Sequence, residues 1–421
     1  MKNLLKRIIP NFVFGWYHFC WAFLGAVIYC FPSKKIKVIG VTGTNGKSTA
    51  VFLIGSILEK AGYKVASVSS IQFKIKNKIW DNNLKMTMPG RIKIQRFLRQ
   101  AVNSGCEYAV LEITSEGIKQ HRHQFIDFNT AILTNLTKEH IESHNGFDNY
   151  KKAKAKLFQS LKGKGNIIVN ADDPNADYFL QFLSDIKYAY GIDFKKKVNA
   201  QKLIQAEDCR FSQNGISFKV KNTQFNLNLL GKFNVYNALV GIVVGLSENI
   251  ALKTIKLVLE NAQGIPGRFE IVVKEPFKVI VDYAHTPDAL EKVYQTIKQN
   301  FSGRIIGVLG SAGGGRDKWK RNEMGKIAEK YLDKIIITNE DPYDENPQTI
   351  INDVAKGIKQ NKLEKILDRG QAIARALKLA KANDVVIITG KGCEPWMCVK
   401  AGKKIPWDDR SVVIEELKKL H

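Results

Sequence analysis

The stretch KIKVIGVTGTNGKSTAVFLIGSILEKAGY, residues 35 to 63, decides how the chain is read. Its first part, KIKVIGVTG, is an apolar run of strand length, and KSTAVFLIGSILEKAGY sets apolar residues at helical spacing. Between them lie Gly43, Thr44, Asn45 and Gly46, a loop whose backbone N–H groups can surround phosphate oxygens. Lys47 can then reach the terminal phosphates of a nucleotide, and the Ser48 hydroxyl, followed by Thr49, can ligate magnesium at the start of the helix. Val41 stands where the strict G-x-x-x-x-G-K-[ST] pattern has its first glycine. Strand, loop, lysine and hydroxyl are nevertheless in order, so the stretch predicts phosphate binding without naming a reaction.

Outward from this unit the chain keeps alternating apolar runs with amphipathic stretches, the pattern of a mostly parallel sheet with crossover helices. YAVLEIT and TAILTNL read as further strands. Residues 197 to 230 change texture: apolar and polar residues alternate around an Asn-Gly pair at 214 and 215, predicting a small antiparallel sheet with its turn there. FNVYNALVGIVVGLSE resumes a helix, and the Gly and Pro of AQGIPGRFE mark a junction. A second series follows, with strands RIIGVLG, KIIITNE and DVVIITG among charged helices. The expectation is an α/β protein in three parts. An apolar segment spans 1–34, a central P-loop domain with a parallel sheet and a small antiparallel subsheet spans 35–266, and a Rossmann-like α/β domain spans 267–421.

With 421 residues, 44% of them hydrophobic, the chain is long enough for two or three cores, and disorder is excluded as its general state. Its net charge of +25 raises the question of a polyanionic partner. Many lysines fall in helical patterns such as YKKAKAKLF, which read as solvated faces, and no nucleic-acid partner is expected. The six cysteines form no CxxC pair and lie near no histidine at zinc-ligand spacing, so they read as reduced thiols of an intracellular protein. Residues 11 to 31 carry no Asp, Glu, Lys or Arg and include Trp16, Tyr17, Trp21 and Tyr29. No small-residue cleavage site follows. The length suits a membrane span, a helix lying in the interface or a helix packed on the next domain, and the flanking basic residues Lys2, Lys6, Arg7, Lys34, Lys35 and Lys37 do not separate these.

Several motifs occur in order after the loop: LEITSEGIKQHR, TNLTKEHIESHNGFDNYKKAKAKLF, GKFNVYNALVG, GIPGRFE, VDYAHTPDAL, GSAGGGRDKWKRNEMG and ITGKGCE. Together with GVTGTNGKST they resemble the Mur ligases over about residues 36 to 421, most closely the MurE type, which adds the third amino acid to the UDP-MurNAc peptide of peptidoglycan. The resemblance implies a cytoplasmic ligase that uses ATP and Mg²⁺ to make an acyl phosphate of the peptide carboxylate, which the incoming amino acid attacks. By matched positions, Lys47, Glu112, His140 and Lys154 would be catalytic, and Ser48, Glu112, His140 and a carbamylated Lys154 would serve the metal. Asn237, Arg268 and Asp282 would join the loop in binding ATP. Thr87, Thr114, Ser115, Gln120 and Arg122 would hold the UDP-sugar peptide, and Arg316, Asp341, Tyr343, Gly390 and Glu394 the amino acid. Taken alone, Glu112 and His140 are each as readily ordinary polar residues, and Lys154 one lysine of a solvated face.

Two departures from the family pattern stand out. Glu340, Asp341, Pro342 and Tyr343 replace the Asp-Asn-Pro-Arg of diaminopimelate-adding enzymes, removing an arginine fork that would pair with a second carboxylate; Cys393 replaces a histidine. A preference for lysine, or another amino acid with one carboxylate fewer, is therefore expected, with the choice otherwise open. Only about 35 residues precede the ATP loop, where relatives carry a UDP-gripping domain of ordinary domain size, roughly a hundred residues. Either the basic surface and the remaining pocket bind the UDP end, or another chain does; separately, the net charge of +25 favours contact of residues 11–31 with the inner face of the cell membrane. The competing readings are a folylpolyglutamate or cyanophycin type of ligase, an amidotransferase subunit, and a membrane-tethered P-loop protein without ligase activity.

Overall fold

The computed structural model describes residues 11–84, 86–194 and 198–419. Two large sheets organise it. The first contains β1 (Lys37–Thr42), β2 (Val65–Val68), β3 (Gln72–Ile75), β4 (Lys78–Asp81), β5 (Tyr108–Glu112), β6 (Thr130–Leu133), β7 (Asn166–Asn170), β8 (Ile186–Gly191) and β9 (Lys202–Gln205). Their order is β4-β3-β2-β5-β1-β6-β7-β8-β9, parallel except for the hairpin β3–β4 and its junction with β2. β1 lies between β5 and β6, so the loop after β1 emerges at the carboxyl ends of the parallel strands, where open α/β sheets bind ligands.

Packing explains this placement. Val38, Ile39 and Val41 of β1 are fully or almost fully buried, and a Cβ on Gly40 would sit 2.8 Å from Leu157 and 3.0 Å from Phe128. Glycine there lets the helix Phe147–Gln159, which carries Lys154, lie close against the sheet. Val41, the residue that broke the phosphate-loop pattern, is a core strand position paired in register with Glu112. The other face of the sheet is covered by the helices Lys47–Lys60 and Lys232–Ser247, whose apolar residues share one core with Phe218 and Phe225 of the subsheet below.

That subsheet is β10 (Glu207–Ser212), β11 (Gly215–Val220) and β12 (Thr223–Leu227), all antiparallel. It corrects the sequence expectation in two places. Lys202–Gln205 pairs parallel with β8 and belongs to the large sheet, and Ser212 pairs with Gly215, so the turn residues are Gln213 and Asn214. Asn214–Gly215 was a strong turn signal, but Gly215, at φ 144°, opens the strand instead. Lys197, at the expected start of the subsheet, lies outside the described residues.

The second large sheet takes β13 (Glu270–Val273), β14 (Lys278–Asp282), β15 (Ile305–Leu309), β16 (Lys334–Ile337), β17 (Leu363–Lys365) and β18 (Val385–Thr389). Its order is β13-β14-β18-β15-β16-β17, parallel except at the β13 edge. A short antiparallel pair, β19 (Trp396–Cys398) and β20 (Lys404–Pro406), follows.

At the start of the chain, Asn11–Ile28 is one helix. Ala22 and Ala26 are buried, and Gly25 approaches the helix Arg91–Asn103 so closely that a Cβ would lie 3.1 Å from the Ile92 Cα. Arg99 donates to the Tyr29 carbonyl at 2.9 Å, and Phe19 and Phe23 meet Phe125 edge to face. Among the described residues no helix is long and apolar enough to cross a membrane, which removes the spanning reading of residues 11–31. The segment's small residues instead pack one side on the central sheet's own helix.

Candidate active site

The phosphate loop is shaped by its neighbours. Gly46 adopts φ 82°, a left-handed conformation that favours glycine, and a Cβ on it would lie 2.6 Å from Asn237 Oδ1. The sequence thus needs glycine where the loop turns into the helix Lys47–Lys60, and Asn237 from the helix Lys232–Ser247 forms the wall it turns against. Asn45 N–H donates to Asn135 Oδ1 at 2.9 Å, and Lys47 Nζ donates back to the Thr44 carbonyl at 2.8 Å.

Directly beneath the helix start, Ser48 Oγ donates to Glu112 Oε2 at 2.8 Å, and Ser70 N–H donates to the same oxygen at 2.9 Å. Lys47 Nζ stands 3.9 Å from Glu112 Oε1. Glu112 is 3% exposed, so this carboxylate is held in the interior by a hydroxyl, an amide and an ammonium. Burial pulls the Lys47 pKa down and Glu112 partly restores it.

Lys154 is 2% exposed, with its Nζ donating to the Gly43 carbonyl at 2.7 Å and lying 4.6 Å from the centre of the Tyr150 ring. Burial, then the nearby Lys47, drive its pKa well below the ordinary lysine value. This is not a lysine of a solvated face. The shift favours the neutral amine, the form that can add carbon dioxide. His140 is likewise kept neutral: burial and then Arg316 and Lys154 lower its pKa to about 2, leaving an imidazole lone pair available. It sits 6.1 Å, ring to ring, from Tyr150.

All of these groups line one cleft of about 1120 Å³. Gly43 to Thr49, Asn237, Arg268 and Asp282 lie along it, as do Thr87, Thr114, Ser115, Gln120 and Arg122. Arg268 crosses the Tyr283 ring at 4.0 Å, while Asp282 accepts the backbone N–H groups of Phe269 and Ala284. Thr114 caps the helix Ser115–Lys119 through the Gly117 N–H, and Arg122, whose pKa burial lowers to about 10, holds the Met88 carbonyl and Gln120. Both side chains therefore build the wall of the cleft as well as facing it.

Asp341, Tyr343 and Gly390 are separated from the rest. They line a smaller cavity of about 70 Å³, which shares Leu84, Tyr283, His285, Arg316 and Glu394 with the cleft. Here the buried Lys391 bridges Asp341, at 2.8 Å, and Glu394. Burial opposes its charge, but the two carboxylates outweigh that and raise its pKa. Glu340, fully enclosed and with Oε2 lacking a hydrogen-bond partner among the described residues, is pushed up to about 7 by burial, against the pull of Arg369. Sequence reasoning missed Ser70, Glu139, Tyr150, Lys391 and Glu340 as parts of these sites. Ser70 follows a strand end and Lys391 stands in a glycine-flanked motif, which were available signals; Tyr150 and Glu139 had none.

Residues 41–245 match the Mur ligase middle domain, and residues 267–392 match the Mur ligase, glutamate ligase domain. The chain belongs to the Mur ligase family. Mur ligases are ATP-dependent enzymes that form amide bonds. Over 95% of its length this Mur ligase is 38% identical to the UDP-N-acetylmuramoyl-L-alanyl-D-glutamate–2,6-diaminopimelate ligase of Clostridium botulinum, covering 81% of that protein. The same named ligase from Syntrophomonas wolfei is 39% identical over 94% of the chain, again with 81% of the relative covered. Among solved structures, one of a ligase with that name superposes with a TM-score of 0.60 at 28% identity, over 92% of this chain and 79% of that one. A folylpolyglutamate synthase of Mycobacterium tuberculosis complexed with ADP superposes at 0.71 over 92% of this chain and 94% of that one, but at 14% identity it speaks for the fold alone.

The donor set suits a magnesium ion. Among the described residues there is no cluster of three or more His, Cys, Asp and Glu side chains able to hold a metal by themselves. Magnesium commonly takes one or two carboxylates and completes its shell with water and nucleotide phosphates. Ser48 and Glu112, already in contact beside the loop, provide that kind of partial site.

Proposed function

We propose that this Mur ligase joins an amino acid to UDP-N-acetylmuramoyl-L-alanyl-D-glutamate as the third residue of the peptide, in peptidoglycan synthesis, through an acyl phosphate. The observation that carries the reading is the Ser48–Glu112–Lys47 cluster at the mouth of the glycine loop, in one cleft with Lys154, His140 and Arg268. ATP would lie along Gly43–Thr49 with Asn237 and Asp282 toward its nucleoside. Lys47 and Arg268 would neutralise its phosphates as the peptide carboxylate oxygen takes the terminal phosphoryl group and ADP leaves. The amino group then attacks the acyl carbon, phosphate departs, and the amine loses a proton. Ser48, Glu112, His140 and carbamylated Lys154 would hold magnesium, which when bound supplies further charge neutralisation. Thr87, Thr114, Ser115, Gln120 and Arg122 would keep the UDP-sugar peptide in register. Release of ADP that requires both UDP-MurNAc-dipeptide and an amino acid supports this function; ATP hydrolysis indifferent to both contradicts it.

The relatives' names specify diaminopimelate, but the small cavity favours a different substrate. Glu340, Asp341 and Glu394 line it together with Arg316 and Lys320; Lys391 already pairs with Asp341 and Glu394, so the Glu340 carboxyl, once ionised, is the group left to meet an incoming ammonium, and Tyr343 offers no fork to a second carboxylate. We therefore assign lysine, or another amino acid ending in a cation, as the preferred substrate.

The N-terminal helix carries the second partner reading. With 3.6 residues per turn, Val13, Trp16, Tyr17, Trp21, Phe23, Leu24, Val27 and Ile28 share a broad exposed face opposite the buried Ala22 and Ala26. The neighbouring helix Arg91–Asn103 carries Arg91, Lys93, Arg96 and Arg99 and no acidic residue. We propose that this apolar face, flanked by basic groups, rests on an anionic lipid surface without spanning it. The intact protein should float with vesicles containing phosphatidylglycerol and Leu24→Glu should not; equal behaviour of the two proteins refutes the contact.

A further inference from the structure

His140 has an unusual backbone. It takes a left-handed conformation, φ 56° and ψ 27°, at the N-cap of the short helix Ile141–His144, yet its side chain makes no cap hydrogen bond. An N-cap residue ordinarily spends its side chain on the first free N–H groups of the helix. Here those groups are satisfied from the other sheet's unit. Asp317 Oδ2 accepts the Ile141 N–H at 3.0 Å and Asp317 Oδ1 accepts the Glu142 N–H at 3.1 Å.

The contact is reciprocal. Glu142 Oε1 accepts the Lys318 N–H at 2.7 Å, just ahead of the helix Lys320–Tyr331. Trp319 Nε1 donates to Asp317 Oδ2 at 3.1 Å, which fixes the carboxylate's rotation. On the preceding residue, Glu139 pairs with Lys320 at 3.1 Å, the two side chains being 5% and 2% exposed. His140 thus stands between two cross-unit contacts, with its imidazole left over for the cleft it lines.

We infer that Asp317, with Glu142, is a positioning residue for His140. By capping the helix in His140's place, it frees the imidazole and holds the left-handed backbone that aims it. The metal side of the cleft is then complete only when the C-terminal unit is docked as it is here. The inference rests on the reading of His140 as a group that serves the metal.

The experiment uses full-length protein with ATP and Mn²⁺, without the peptide acceptor, and counts bound Mn²⁺ by electron paramagnetic resonance. Half-saturating Mg²⁺ in the complete reaction and thermal midpoints are measured alongside. His140→Ala and Asp317→Ala should each weaken Mn²⁺ binding about tenfold, and the double variant should be no weaker than either single one, as for residues that act as one unit. Asp317→Asn, which keeps one accepting oxygen, should fall between wild type and Asp317→Ala in Mn²⁺ binding, at an unchanged thermal midpoint. Multiplied losses in the double variant, or Mn²⁺ binding unaffected by Asp317→Ala, overturn the inference. Mn²⁺ binding unaffected by His140→Ala brings down the metal reading itself, and the inference with it, a result distinguishable from the other two.

Discussion

Replacing Glu340 by glutamine should flatten part of the protein's stability profile with pH. The carboxyl is fully enclosed between β16 and the small cavity, and burial raises its pKa from 4.5 to about 7. Its folded form therefore stays protonated while the unfolded chain ionises. Between about pH 4.5 and 7 the unfolded state binds fewer protons, so stability falls as pH rises, and beyond pH 7 both states are ionised and the loss is complete. A shift of roughly two to two and a half units corresponds to about 3 kcal/mol. Urea unfolding of wild type and Glu340→Gln at pH 5, 6, 7 and 8 measures most of it: the difference between the two should change by about 2 kcal/mol across pH 5 to 7 and then level off. The same proton governs recognition, because only the ionised carboxylate attracts an incoming ammonium; KM for the amino acid should fall as pH rises from 6 to 8 in wild type and not in the variant. Parallel stability curves for the two proteins would refute the assignment of a neutral buried carboxyl.

Lys47→Ala should lower kcat by about a hundredfold or more, since the ammonium meets charge that builds on the transferring phosphoryl group; unchanged turnover rules this lysine out of the site. Lys154→Ala should abolish activity and regain part of it with an added short-chain carboxylic acid, which stands in for the carbamate; retained activity, or loss that no acid rescues, counts against carbamylation. Gly46→Ala forces a side chain into φ 82° against Asn237, and strain of about 1–3 kcal/mol should weaken ATP binding by about tenfold or more in calorimetry. Unaltered ATP affinity would mean that the loop does not bind in this conformation.

Much of this was legible in the sequence because it depends on local order. A buried strand, a glycine turn and a helix with its lysine and hydroxyl follow one another in the sequence as they do in the fold, whereas Glu112, taken alone, reads as readily as an ordinary polar residue. Lys154 shows the opposite case. Among lysines 151, 152, 154 and 156 only packing distinguishes it, and it is the buried one, at 2% exposure. The capping of Ile141 by Asp317 joins residues more than 170 positions apart, and no spacing rule reaches that far. The hairpin β3–β4 was overlooked although IQFKIKNKIW alternates apolar and polar residues; its turn uses Lys76 at φ 53° in place of a glycine. The apolar N-terminal segment reads as a span, an interfacial helix or a packed helix because composition does not record Ala22, Gly25 and Ala26 meeting a neighbour.

The mass of the product formed from UDP-MurNAc-dipeptide, ATP and magnesium, with lysine and diaminopimelate offered together, tests the central claim most directly. The account predicts a UDP-MurNAc-tripeptide heavier by one lysine residue, with one ADP and one phosphate per product. ATP turnover without any amino-acid-dependent gain in mass would contradict it.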